Sequence, residues 1–189
     1  VGLRALIEVC GLSNREITMS DIVFKIAPRI NASGRMENGR ESVDLLVEKD
    51  YSLALEIAKN INEYNEQRRD IDKQMTEEAN IIIEMIESQE QHSSIVLYDE
   101  GWKKGIIGIV ASRVTEMYYK PTIVLTRDGD YAVGSARSVT GFDIYSAVKS
   151  CSDLFVNFGG HTCAAGMTLR WQNLNDFRIR CQKYVDDHI

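Results

Sequence analysis

Three short stretches of this chain carry residue types that can grip an anion. In Phe158-Gly159-Gly160-His161-Thr162-Cys163-Ala164-Ala165-Gly166, two glycines stand ahead of a histidine and a run of small residues. A backbone without a Cβ can take positive φ and bring its N–H groups close to another group. Successive N–H groups turned into one concavity bind an anion, and an imidazole beside them donates to an oxyanion or trades protons near neutral pH. One reading is a phosphate-binding turn with His161 at its tip. The other is a Gly-Gly turn between two strands, with His161 hydrogen-bonded in the core. The second stretch is Ser135-Ala136-Arg137. Alternate residues of a strand share a face, so Ser135 Oγ and the Arg137 guanidinium can reach one phosphate. Ser and Arg on a solvent-facing strand would read the same way. The third is Pro28-Arg29-Ile30-Asn31-Ala32-Ser33-Gly34-Arg35-Met36, which its Pro and Gly mark as an irregular loop. Four basic residues stand against one acid from Lys25 to Arg40. Arg29 and Arg35 suit a guanidinium clamp on phosphate, or ion pairs with nearby carboxylates in a plain connecting loop.

The complement to such a grip, a metal-binding carboxylate cluster, has no counterpart in the string. No HxD or DHH string occurs, and His92 and His188 read as surface residues. Phosphodiester hydrolysis usually draws on one or two metals to make the nucleophile and screen charge. Residue chemistry therefore predicts the substrate-gripping half of a phosphoryl-transfer site.

The bulk numbers narrow the class. At 189 residues, 44% hydrophobic and net charge -6, this is a globular composition and not that of a general polyanion binder. Residues 1–91 hold 11 Lys and Arg against 18 Asp and Glu, while residues 92–189 hold 11 against 10. A nucleic-acid contact must then be a local basic pocket. Cys10, Cys151, Cys163 and Cys181 form no CxxC pair, which reads as reduced thiols in a cytoplasmic setting. Nothing resembles a signal peptide or a membrane span. The chain starts at Val1 inside what reads as a helix, and the expectation is a fragment of a longer protein.

The elements that position these residues follow from periodicity. Leu3, Leu6, Ile7 and Cys10 have helical spacing, with Gly11 as a C-cap. A second helix starts near Thr18 or Ser20 and runs to Pro28, and a short amphipathic helix covers 41–48. No Gly or Pro falls between Gly39 and Gly101, and an apolar stripe from Ile57 to Ile86 predicts one helix over about Tyr51–Ser88, packed along one side. The period then changes. Ile95–Tyr98 is a buried strand, Gly105–Tyr118 a helix whose early glycines suit a start pressed against backbone or an anion, and Pro121–Leu125 and Tyr131–Arg137 strands joined by a hairpin. Helix 142–148, a turn or short helix at 152–155, the Gly-Gly-His turn, a strand from Gly166 to Trp171 and a helix from Leu174 to Asp187 complete the chain. The expected fold class is α/β: a mixed sheet with flanking helices, preceded by a helical segment and one long connecting helix. The expected domains are 1–50, 51–90 and 91–189.

The runs Ala27–Met36, Gly101-Trp102 ahead of Gly105-Ile106-Ile107-Gly108-Ile109-Val110-Ala111-Ser112-Arg113, Gly134-Ser135-Ala136-Arg137-Ser138 and Gly159-Gly160-His161 together resemble the RecJ family of single-stranded-DNA-specific 5′→3′ exonucleases. The Gly-Gly-His string alone is shared by the wider DHH-associated group, which includes alanyl-tRNA editing proteins and phosphodiesterases for short or cyclic nucleotides. The resemblance implies a DHH-associated lobe joined by a long helix to a DHH lobe that carries Mn²⁺ or Mg²⁺, with an OB-fold later in the chain. That metal lobe would lie upstream of Val1, so no metal ligand is expected here and the isolated fragment is expected to be inactive. The residues themselves offer three groups to one anion: Arg29, Asn31 and Arg35; Ser135 and Arg137; and the Gly159-Gly160 backbone with His161. The resemblance implies that Arg29 or Arg35, with Ser135 and Arg137, holds backbone or terminal phosphate, and that His161 sits near the scissile phosphate. Lys103 departs from the His or Asn of many relatives and still reaches a phosphate. The implied setting is DNA repair and recombination, by a monomer on single-stranded DNA beside a single-strand-binding protein and a helicase. The alternatives are a nucleic-acid-binding module of the alanyl-tRNA editing type and a phosphodiesterase fragment for short or cyclic nucleotides.

Overall fold

The computed structural model describes residues 1–87 and 92–189, and the chain divides into two compact units, Val1–Ile71 and Asp72–Ile189. Among the described residues no helix is long and apolar enough to cross a membrane.

The first unit is helical. It holds α1 (Gly2–Val9), α2 (Met19–Asp21), a π-helical turn (Ile22–Ile26), α3 (Ala27–Met36), α4 (Arg40–Val47) and the first part of α5 (Tyr51–Glu87). Thr18 opens α2 with a capping box: its Oγ1 accepts from the Asp21 amide at 3.3 Å, and the Asp21 carboxylate accepts from the Thr18 amide at 3.1 Å. Ala5, Leu6, Leu12, Ile26, Leu45, Ala54, Ala58 and Ile61 form the core. Helices α1 and α4 touch so closely that a Cβ at Gly2 would lie 1.7 Å from the Leu45 carbonyl oxygen. The stretch expected as an irregular loop at 28–36 is helix α3 instead. Pro28 stands at the junction where the π-helical turn runs into α3, one residue after Ala27, whose amide donates to the Ile22 carbonyl. A polar clasp then holds the helix to α4: Ser33 Oγ lies 2.6 Å from Ser42 Oγ, which donates to the Ile30 carbonyl at 2.8 Å.

Helix α5 appears as the unbroken element that its stripe predicts, 37 residues or about 55 Å long. Residues 88–90, which close the expected helix segment, lie outside the described residues.

The second unit is a three-layer α/β fold around a five-stranded mixed sheet in the order β1-β2-β3-β5-β4. The strands are β1 (Ile95–Tyr98), β2 (Thr122–Asp128), β3 (Tyr131–Arg137), β4 (Phe155–His161) and β5 (Ala164–Arg170). β1 runs parallel to β2, and the other pairs are antiparallel. Helix α6 (Ile107–Tyr118) lies against β2 and β3 on one face. Helices α7 (Ile144–Lys149) and α8 (Leu174–His188) cover the other, where Ala132, Ala136, Ala165, Met167, Leu169, Ile144, Phe177 and Cys181 pack together. Burial of the Cys181 thiol in that layer pushes its pKa up to about 12, leaving an unreactive side chain.

Gly159-Gly160-His161 is not the turn that its glycines suggest. It is the end of strand β4, and the turn is Thr162-Cys163. Extended backbone does not gather successive amides into a concavity, so these glycines do not build an anion nest. Gly160 is there for packing: a Cβ on it would stand 2.3 Å from the Ala164 carbonyl oxygen and 2.6 Å from Ala165 Cα.

Candidate functional site

Strand register in the second unit gathers the chemistry. Arg137 is opposite Ala164, which is opposite His161; Ser135 is opposite Gly166, which is opposite Gly159. Directly opposed residues share a face, as do alternate residues along a strand. Ser135, Arg137, Gly159 and His161 therefore stand on one face of the sheet, opposite the α7–α8 core. Two strand spacings separate Arg137 from His161 across the sheet, about 10 Å.

Arg137 is held on three sides. Its Nη1 donates to Ser135 Oγ and to the Ala136 carbonyl, each at 2.8 Å, and its Nε donates to Ser112 Oγ at 3.1 Å. Ser112 in turn donates to the Gly108 carbonyl at 3.0 Å. Gly108, in the first turn of α6, presses on the same pair: a Cβ there would lie 3.0 Å from both Arg137 Nη2 and Ser135 Oγ. The early glycine of this helix thus admits a guanidinium and a hydroxyl to the uncapped end of α6, where the helix dipole adds positive potential. Ser112 has no role in the sequence reading, since the residue it anchors lies 25 positions away.

His161 is exposed, and the Cys163 amide donates to its Nδ1 at 3.3 Å. An accepting Nδ1 places the proton of the neutral ring on Nε2, which presents a donor outward. Lys103, half-buried, belongs to the turn entering α6, where its carbonyl accepts from the Ile106 and Ile107 amides. Arg113, prominent in the same motif, is paired with the buried Asp72 carboxylate at 2.8 Å.

Arg29, Asn31 and Arg35 belong to the first unit. Asn31 and Arg35, one turn apart on α3, are both exposed. Arg29 points elsewhere: its Nε donates to Asn62 Oδ1 and its Nη1 to the Lys25 carbonyl, each at 2.8 Å. Among the described residues no three His, Cys, Asp or Glu side chains group to hold a metal ion, so no chemical step is assigned to a metal within them.

Residues 79–187 match the model of the DHHA1 domain. The chain belongs to the DHHA1 domain family. The DHHA1 match covers the sheet and the helices around it, and the resemblance to RecJ extends across the chain. The chain is 38% identical to the single-stranded-DNA-specific exonuclease RecJ of Bacillus subtilis over 190 residues, covering 99% of this chain and 24% of that protein. It is 35% identical to RecJ of Haemophilus influenzae over 194 residues, covering 99% of this chain and 34% of that protein. Crystal structures of Thermus thermophilus RecJ in complex with Mg²⁺ and with Mn²⁺ superpose with TM-scores of 0.86 and 0.85 at 27% identity; each covers all of this chain, which matches 29% and 27% of theirs. The chain thus spans about a quarter to a third of the length of the curated relatives it matches.

Proposed function

We propose that this chain is the DNA-holding portion of a metal-dependent 5′→3′ exonuclease for single-stranded DNA, with Ser135 and Arg137 gripping a backbone or terminal phosphate. The observation that carries the reading is the fixed Arg137 guanidinium, bonded to Ser135 and Ser112 beside the start of α6, on the same sheet face as His161. A guanidinium oriented in advance loses little side-chain freedom on meeting a phosphate. His161 supplies Nε2–H as a donor to a phosphate oxygen near the bond to be cleaved, and Lys103 adds positive charge at the entry to α6. Asn31 and Arg35 share a face of α3 and form a second contact to the strand, while Arg29 shapes the first unit. Mn²⁺ or Mg²⁺ is held by residues outside those described. In the cell the activity serves DNA repair and recombination in the cytoplasm, by a monomer beside a single-strand-binding protein and a helicase.

The test is a titration of the chain with 5′-phosphorylated and 5′-hydroxyl single-stranded oligonucleotides at low salt, with a nuclease assay in Mn²⁺ alongside. Binding that favours the 5′-phosphate, that is lost in Arg137→Ala, and that occurs without cleavage is the expected result. Cleavage by the chain itself, or binding unchanged by Arg137→Ala, contradicts the reading.

A further inference from the structure

Within the second unit, the end of α5 and helix α8 leave a cleft along β1, the outer strand of the sheet. Its volume is 410 Å³, within the range of small-molecule sites. The floor is aliphatic, from Ile82 and Ile86 of α5 and Val96 and Leu97 of β1. One end is an aromatic wall, where the Tyr98 and Trp171 rings pack with centroids 4.7 Å apart at 45°. Trp171 is held in place: its amide donates to the Asp130 carbonyl at 3.1 Å, and the Arg127 guanidinium carbon stands 5.5 Å over its ring. Gln172, Asn175 and Arg178, spaced three residues apart, line the side that α8 and the turn before it supply.

Two polar groups of this cleft lack the partners that the fold gives elsewhere. Arg178 is half-buried and makes no hydrogen bond or ion pair among the described residues, whereas Arg113, Arg127 and Arg180 of the same unit each pair with a carboxylate. The Tyr98 hydroxyl is shut off from solvent and has no hydrogen-bond partner among the described residues. Buried polar groups are nearly always paired, so orphans gathered around one cavity call for a ligand.

The lining says what kind. An aliphatic acid would suit the floor and Arg178 but leave the amides of Gln172 and Asn175 unused. A nucleobase is apolar on its faces, carries donors and acceptors along its edge, and packs well against aromatic rings. Arg178 is the one charged residue among the described residues of the lining, which matches a single phosphate group and not a chain of them. We propose that this cleft binds a nucleoside monophosphate, its phosphate on Arg178 and its base over the aliphatic floor, between the aromatic wall and the Gln172 and Asn175 amides. The cleft shares no residue with the Ser135–Arg137 grip, so mutation separates the two.

The chain is titrated with deoxyadenosine 5′-monophosphate, deoxyadenosine and inorganic phosphate, read by tryptophan fluorescence with thermal unfolding alongside. Trp102 is buried, so Trp171 is the tryptophan that a ligand in the cleft perturbs. The nucleotide gives a saturable change and binds about tenfold or more tightly than either of its parts. Arg178→Ala loses about tenfold or more of that affinity, Arg178→Lys recovers part of it, and Arg137→Ala leaves the signal as in the parent. Asn175→Leu, on the exposed side of α8, melts as the parent does and loses several-fold for the nucleotide, which decides the matter if Arg178→Ala melts lower. No saturable change, a nucleotide bound no more tightly than deoxyadenosine or phosphate, or Arg178 and Asn175 variants that bind as the parent does overturn the proposal. A signal lost in Arg137→Ala would place the nucleotide at the grip alone and overturns it as well.

Discussion

Arg137 Nε donates to Ser112 Oγ at 3.1 Å, so a strand residue is aimed by a helix residue 25 positions earlier. The Ser112 hydroxyl sends its own proton to the Gly108 carbonyl, which leaves its lone pairs to receive the guanidinium. Ser112 therefore positions the Arg137 guanidinium, and under the proposed phosphate grip it is a positioning residue. Arg137→Ala is expected to weaken binding of 5′-phosphorylated single strands about 10- to 100-fold, the scale of one or two charge-assisted hydrogen bonds. Ser112→Ala is expected to lose part of this, a few-fold, with Ser112→Thr restoring it. A fluorescence titration of all three, comparing 5′-phosphate with 5′-hydroxyl strands, reads the effect, because a purely structural role for Ser112 would lower both affinities together.

The glycine pair of β4 separates into a fold residue and a surface residue. Gly160→Ala forces a methyl against β5 backbone and is expected to destabilise the second unit by about 1–3 kcal/mol, the range for overpacking. Gly159→Ala meets open space and is expected to be neutral or to gain about 0.5 kcal/mol from the lower entropy of the unfolded chain. Chemical denaturation of the two variants decides the assignment. Equal stability of both would contradict it.

Much of this architecture is legible in the sequence because local pattern and tertiary role agree. The α5 stripe keeps a helical period, and β3 alternates so that Ala132, Gly134 and Ala136 face the core while Ser135 and Arg137 do not. Three features are not legible, and each depends on a distant partner. The helix at 27–36 contains Pro28 and Gly34, and Ser42 of the next helix holds it down. Gly159-Gly160-His161 looks like a turn by composition, yet its conformation is fixed by pairing with β5. Ser112 shows no signal on its own, since its value lies in where Arg137 arrives.

Arg29 and Arg35 are six residues apart and differ in burial, Arg29 half-buried and Arg35 exposed. Arg29 spends its Nε and Nη1 on Asn62 and the Lys25 carbonyl, within the first unit. Arg35 is exposed on the face it shares with Asn31. Arg29→Ala is expected to lower the stability of this unit by about 1–2 kcal/mol through the lost hydrogen bonds and the unpaired Asn62 oxygen. Arg35→Ala is expected to reduce both DNA affinity and the salt slope of binding, which falls by about 0.7 for each single-strand phosphate contact removed. Salt-dependent titrations beside melting curves distinguish the two. A larger binding loss at Arg29 than at Arg35 would reverse the assignment.

Asp21 gives the first unit an acid-sensitive joint. Hydrogen bonds from the Thr18 hydroxyl and amide, with support from Lys25 and Arg15, hold its carboxyl well below the usual carboxylate range. Its pKa in the folded state is below that in the unfolded chain, about 3.9, so between the two values the unfolded chain binds more protons. Stability therefore rises with pH through that window, is complete above it, and is lost as pH falls toward the folded value. Asp21→Asn keeps the cap shape without the charge, and is expected to melt at a lower temperature than the parent at pH 7. The gap should narrow steadily below about pH 4, as the parent carboxyl takes up its proton and comes to resemble the amide. Melting curves of parent and variant from pH 7 to pH 2 measure it. A gap that stays constant across that range would mean the cap acts through hydrogen-bond shape alone, with the carboxylate charge adding nothing.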